Sequence, residues 1–126
     1  MKSAFLVSAA ESFEDDVWRA ARSLGGDVSE ASTRVQDEQG RVLLITGGLG
    51  LDGAGAWQDD LVSSPGLDAL PDLSTAAAVL VECRWEDLFA SWIARLAALL
   101  PGAAWVVDDD GVVWPATRVD PEGVRL

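Results

Sequence analysis

Apolar and polar positions alternate along this chain in two distinct rhythms, and the switches between them mark its elements. Ala4 to Ala10 is an almost unbroken apolar run of strand length, and from Phe13 the apolar positions fall three and four apart. Phe13, Val17, Ala20, Ala21 and Leu24 share one helical face, with Ser12 at the N-cap position and Glu14, Asp15 and Asp16 in the first turn. Arg19 and Arg22 lie toward the end of that helix, and Gly25-Gly26 stops it. Two β-rich stretches follow, Glu30 to Val35 and Arg41 to Thr46, around Asp37-Glu38-Gln39-Gly40, whose acid-then-glycine chemistry predicts a hairpin turn. The second half repeats the order. Thr75 to Val81 reads as a strand, and Trp85-Glu86-Asp87 opens a helix whose stripe is Trp85, Leu88, Phe89, Trp92, Ile93, Leu96, Leu99 and Leu100. Pro101-Gly102 ends it, and Trp105-Val106-Val107 leads through Asp108-Asp109-Asp110-Gly111 into Val112-Val113-Trp114, a second hairpin closed by Pro115.

Two hairpins and two helices predict an α+β fold: one domain over residues 1–126, with a mostly antiparallel sheet covered by the helices on one face. Alternation in Ser32-Thr33-Arg34-Val35-Gln36 fits a sheet with one wet face. A doubly wound α/β sheet is the alternative, since Val42–Ile45 and Ala76–Val81 would also suit buried parallel strands. The halves share a strand, helix, strand, turn, strand order, with Phe13-Glu14-Asp15 matching Trp85-Glu86-Asp87 and DEQG matching DDDG. That pattern is either a βαββ unit used twice or a coincidence of ordinary α+β patterning. Between the halves, residues 47–74 are rich in Gly, Asp, Ser and Pro and predict a long loop, with short helical turns at most near Trp57–Leu61 and Pro65–Leu70.

Composition then narrows the function. The 126 residues are 49% hydrophobic, enough for a proper core, yet carry 21 acids against 9 bases, a net charge of −12, and no histidine. Such a field steers cationic partners and repels nucleic acid and anionic lipid, and the arginines form no basic stripe. Without histidine, acid–base, triad and zinc chemistry lose their usual agent. Cys83 is the one cysteine, so no internal disulfide forms and no oxidising compartment is implied. The start MKSAFLVSAAESFEDD lacks the flanks of a secretory signal, and no apolar run approaches the ~18 residues of a membrane span. A cytoplasmic protein that meets neither membrane nor nucleic acid is expected.

Each candidate for chemistry has a plainer competitor. Gly48-Leu49-Gly50-Leu51-Asp52-Gly53 is formally G-x-G-x-x-G after a strand, but Asp52, Gly55, Asp59, Asp60 and Pro65 leave little helix to receive a pyrophosphate. Glu82, the candidate ribose acid, also lies farther on than the usual ~20 residues. A flexible glycine loop is the better reading. Cys83 precedes a helix, but it has no histidine partner and Glu82, Glu86 and Asp87 stand near it, so a buried thiol is expected. Consecutive carboxylates at Asp108–Asp110 do not converge as alternate ones do in a calcium loop, which favours turn chemistry. Three adjacent acids nonetheless exceed the needs of a turn, and the excess suits a surface that meets cations. Trp85, Trp92 and Trp105 read as core, whereas Trp57 stands beside Asp59 and Asp60 in the long loop, either as an interface anchor or folded back to pin the loop. No feature selects a catalytic carboxylate pair, a metal set or a cofactor site.

The reading that absorbs most of these features is a small acidic binding protein, not an enzyme, that occludes a basic partner through Asp108, Asp109, Asp110, Trp57, Asp59 and Asp60. In style, a short acidic α/β chain ending VVDDDGVVWPATRVDPEGVRL resembles the immunity proteins of bacterial polymorphic toxins. The resemblance implies a toxin domain, such as a nuclease, as the partner, and transfers no site residues. A secretion or assembly chaperone and a divalent-metal enzyme using carboxylates are the alternatives.

Overall fold

The computed structural model describes residues 2–49 and 60–126. Among the described residues the elements follow one another as β1 (Ser3–Ser8), α1 (Phe13–Ser23), β2 (Asp27–Ser29), β3 (Ser32–Gln36), β4 (Val42–Thr46), β5 (Val62–Ser63), β6 (Ala77–Cys83), α2 (Glu86–Ala98), β7 (Trp105–Val107) and β8 (Val112–Pro115). The strands form one sheet in the order β2-β3-β4-β6-β1-β7-β8-β5, antiparallel throughout except for the parallel pair β5 and β8. The α+β architecture read from the pattern is therefore the architecture found, and the doubly wound alternative is not.

Period-two alternation decides what the sheet buries. Leu43 and Ile45 of β4, Val79, Val81 and Cys83 of β6, and Ala4 and Leu6 of β1 turn to one face, where Phe13 and Val17 of α1 and Phe89, Ile93 and Leu96 of α2 cover them. That face is the main core. Loop residues Leu73 and Ala76 instead lie on the other face, over Val7, Val107 and Val113 at the β1–β7–β8 side. The last eleven residues return to the helix face, where Ala116, Val119 and Val124 bury themselves near Trp114.

Several local expectations change. Ser12 precedes α1 but caps no backbone amide; its hydroxyl donates to Asp16 Oδ2 at 2.7 Å, because Asp16, also paired with Arg19, is the acid that turns inward. Trp18, absent from the expected stripe, is buried beside Gly47, where a Cβ would fall 2.6 Å from its Cζ2. Leu99 leaves the stripe and is 52% exposed. Glu30 to Val35 is not one strand but the turn from β2 into β3 and most of β3. The two halves also differ in topology. Hairpin β3–β4 joins the central pair through its second strand, β4 to β6, whereas hairpin β7–β8 joins through its first, β7 to β1. The shared βαββ order is thus not carried into a matching arrangement of strands.

Candidate functional site: an acidic corner

Both hairpin turns use the same device. Asp37 Oδ1 accepts the amides of Gln39 and Arg41 at 3.0 and 2.8 Å, and Gly40 closes the turn at φ +80°. Asp108 Oδ1 accepts the amides of Asp110 and Val112, each at 3.0 Å, and Gly111 closes the turn at φ +77°. An acid at the first position offers an oxygen to amides that a tight turn would leave orphaned, and glycine accepts the left-handed backbone. The DEQG and DDDG matches are therefore one turn chemistry used twice.

Beyond that device the turns diverge. Asp37 keeps its second oxygen for Arg41 Nε at 2.7 Å, and the same guanidinium reaches Asp87 at the start of α2 at 2.9 Å. Arg41 also stands 5.9 Å from the centroid of the Trp85 ring. Desolvation raises the Asp37 carboxyl, but hydrogen bonds from Arg41 and two turn amides outweigh it and leave the group below its ordinary value. The Arg41 hydrogen bond likewise lowers Asp87, and Lys2, 2.6 Å away, lowers Glu86. Each acid of this cluster has a cationic partner, and Arg41 clamps hairpin to helix.

Asp108 turns its second oxygen inward instead. Oδ2 accepts Trp114 Nε1 and the Arg125 amide, each at 3.1 Å, so the carboxylate receives four hydrogen bonds and the residue is 5% exposed. It is therefore a buried strut and presents nothing to a partner, which corrects the expectation that all three aspartates face outward. Asp109 is strapped through its backbone, its amide donating to the Arg125 carbonyl at 2.7 Å, while its side chain stays exposed. Asp110 is 65% exposed, with Arg125 Nε no closer than 4.0 Å.

Strand β5 then brings a second acid to this turn. Its parallel register sets Val62 opposite Val112, with the Val62 amide donating to the Gly111 carbonyl at 3.0 Å. Asp60 precedes Val62 by two residues, as Asp110 precedes Val112, so both acids reach the same end of adjacent strands. Asp60 is exposed and sits at φ +55°, an uncommon backbone for aspartate. Three exposed carboxylates, Asp60, Asp109 and Asp110, thus share one corner of the sheet, on a scaffold fixed by Asp108. Trp57 and Asp59 lie outside the described residues.

The remaining candidates fall elsewhere. Cys83 is 1% exposed, and burial raises its thiol; its Sγ donates to the Trp85 carbonyl at 3.3 Å. Gly48 donates its amide to Glu14 of α1 at 2.7 Å, and the glycine motif continues outside the described residues. Trp92 is buried, while Trp85 and Trp105 are half-buried. Among the described residues no helix is long and apolar enough to cross a membrane, and no group of three or more Cys, Asp or Glu side chains could hold a metal ion. Sequence reasoning missed the β5 pairing, because a two-residue strand has no period to detect, and the inward turn of Asp108, because three identical neighbours give no sign of which one is buried.

No protein-family model, curated protein or solved structure matches the chain.

Proposed function

We propose that the chain is an acidic binding protein that neutralises a basic protein partner by occlusion, in the manner of an immunity protein against a bacterial toxin. The observation that carries this reading is the placing of Asp60, Asp109 and Asp110 at one corner, where Arg125 comes no closer than 4.0 Å to Asp110. A rigid turn holds Asp109 and Asp110 in place before any partner arrives, so little conformational entropy is lost when they meet lysine or arginine. Charge-assisted bonds from a cationic groove would fix the register, and the −12 net charge would speed encounter. The protein itself does no chemistry.

The test takes as partner the product of the reading frame adjacent to the gene, and asks two questions: whether co-expression relieves its toxicity, and how tightly the purified pair binds. Binding should weaken at least about tenfold in D109K/D110K and in D60K, with the thermal midpoint of each variant close to the parent. Affinity unchanged by both reversals would sink the acidic corner as the contact surface. A non-toxic neighbour would sink immunity as the role.

A further inference from the structure

A cavity of about 220 Å³ opens at one end of the sheet, on the face turned away from the helices. Its lining includes Gly40, Val42, Leu44, Glu82, Arg84 and Trp85. Leu43 and Cys83 point into the helix-side core, so alternation turns Leu44 and Glu82, which face each other across β4 and β6, to the outside. The same antiparallel register runs on toward Val42 and Arg84, and Trp85 stands at that end where the chain enters α2. Loop residues Leu61, Leu67, Leu73 and Ala76 pack with Phe5, Val7 and Ala78, and none of them lines the cavity. Strands β1 and β7 separate β6 from β8, so the cavity is also apart from the acidic corner.

Two opposite charges stand at this cavity unspent. Glu82 and Arg84 both line it, and among the described residues neither side chain has a hydrogen bond or an ion pair, with the other or with a third group. The neighbouring charges are already committed, since Arg41 holds Asp37 and Asp87 and Lys2 holds Glu86. Glu82 is half-buried beside Leu44, where a carboxylate loses part of its hydration and gains from a cation that reaches it. Arg84 is exposed, and its planar guanidinium suits a carboxylate held by two parallel hydrogen bonds. The cavity thus offers an acceptor for an ammonium, a donor for a carboxylate, and an apolar wall of Val42, Leu44 and Trp85. It is smaller than the roughly 300–1,000 Å³ of sites that take drug-sized ligands, so its occupant is small.

We propose that this cavity binds a free α-amino acid with an apolar side chain. The ligand ammonium donates to the Glu82 carboxylate, its carboxylate accepts from the Arg84 guanidinium, and its side chain lies against Val42, Leu44 and Trp85. The need for both charges separates this site from general attraction. A chain of net charge −12 draws in any small cation and repels any small anion, so bulk electrostatics ranks an amino-acid amide first, the zwitterion second and the N-acetylated form last. A site that pairs both ends ranks the zwitterion first, because each single-charge analogue leaves Arg84 or Glu82 without its partner.

Titration of the isotope-labelled chain with leucine, leucinamide, N-acetylleucine and glycine, followed by its amide resonances, tests the proposal. Leucine should give saturable shifts at Glu82, Arg84 and the Trp85 indole with a Kd of about 1 mM or tighter, and should bind at least about fivefold more tightly than the other three compounds. E82Q and R84Q should each weaken leucine binding at least about tenfold, while resonances away from the cavity match the parent. Arg84 is exposed, so R84Q carries the test should E82Q fail to fold. D109K/D110K should bind leucine as the parent does, which keeps this result separate from that of the acidic corner. No saturable shift by about 20 mM leucine would overturn the proposal, as would leucinamide binding more tightly than leucine. Unchanged binding in R84Q, or its loss in D109K/D110K, would overturn it too.

Discussion

Asp108 shows how one side chain can be misjudged from its neighbours. Its four hydrogen bonds join the turn, the Trp114 indole and the C-terminal strap, so it organises the corner without taking part in it. Asp108→Asn should be destabilising by about 2–3 kcal/mol in chemical denaturation, because an amide can replace one acceptor oxygen but sets its NH2 against donors at Trp114 or Arg125. Asp109→Asn and Asp110→Asn should stay within about 0.5 kcal/mol of the parent, as expected for exposed positions. Equal losses at all three would contradict the division of labour. The turn itself was legible, since acid at the first position and glycine at the fourth is chemistry that acts through adjacent residues. The direction of the carboxylates was not, because it depends on Trp114 and on Arg125, which is seventeen residues away.

At the level of elements, strands and helices with a clear period were found where the pattern put them, and the shortest strands were not. β2 and β5 have three and two residues, so they owe their existence to an adjacent strand with free hydrogen-bonding groups and not to any rhythm of their own. The Arg41 clamp between the β3–β4 hairpin and α2 is likewise a long-range feature, and it has a pH signature. Asp37 and Asp87 both lie below their ordinary value of 3.8 in the folded chain, so the clamp stabilises fully above that value and is lost as pH falls through the lower folded values. Arg41→Met should therefore lower the thermal midpoint at about pH 6, and the gap from the parent should close as the solution is acidified below about pH 3.8. A gap independent of pH would mean that Arg41 acts through its contact with Trp85 and not through the two acids.

For the whole molecule, the acid excess has two opposed consequences that salt can separate. Asp37 and Asp87 share Arg41, Glu86 pairs with Lys2 and Asp16 with Arg19, so these four acids are set against three bases and most of their charge is ordinary structural pairing. The corner acids and other exposed carboxylates, including Glu11, Asp15, Glu30 and Glu38, leave a fold that repels itself, with −12 overall. Screening relieves that repulsion and equally weakens attraction to a basic partner, since both act between exposed charges across water. Raising sodium chloride from about 20 mM to about 0.5 M should therefore raise the thermal midpoint, by about 2–5 °C on the scale of a domain this size, while it lowers partner affinity. The lower affinity should come mainly from slower association, because steering acts before contact is made. Under the same change D109K/D110K should gain less stability than the parent, having removed four units of negative charge, and its residual binding should respond less to salt. A parent whose binding is insensitive to salt while its midpoint rises would show that the acid excess shapes the fold's self-repulsion but not its recognition.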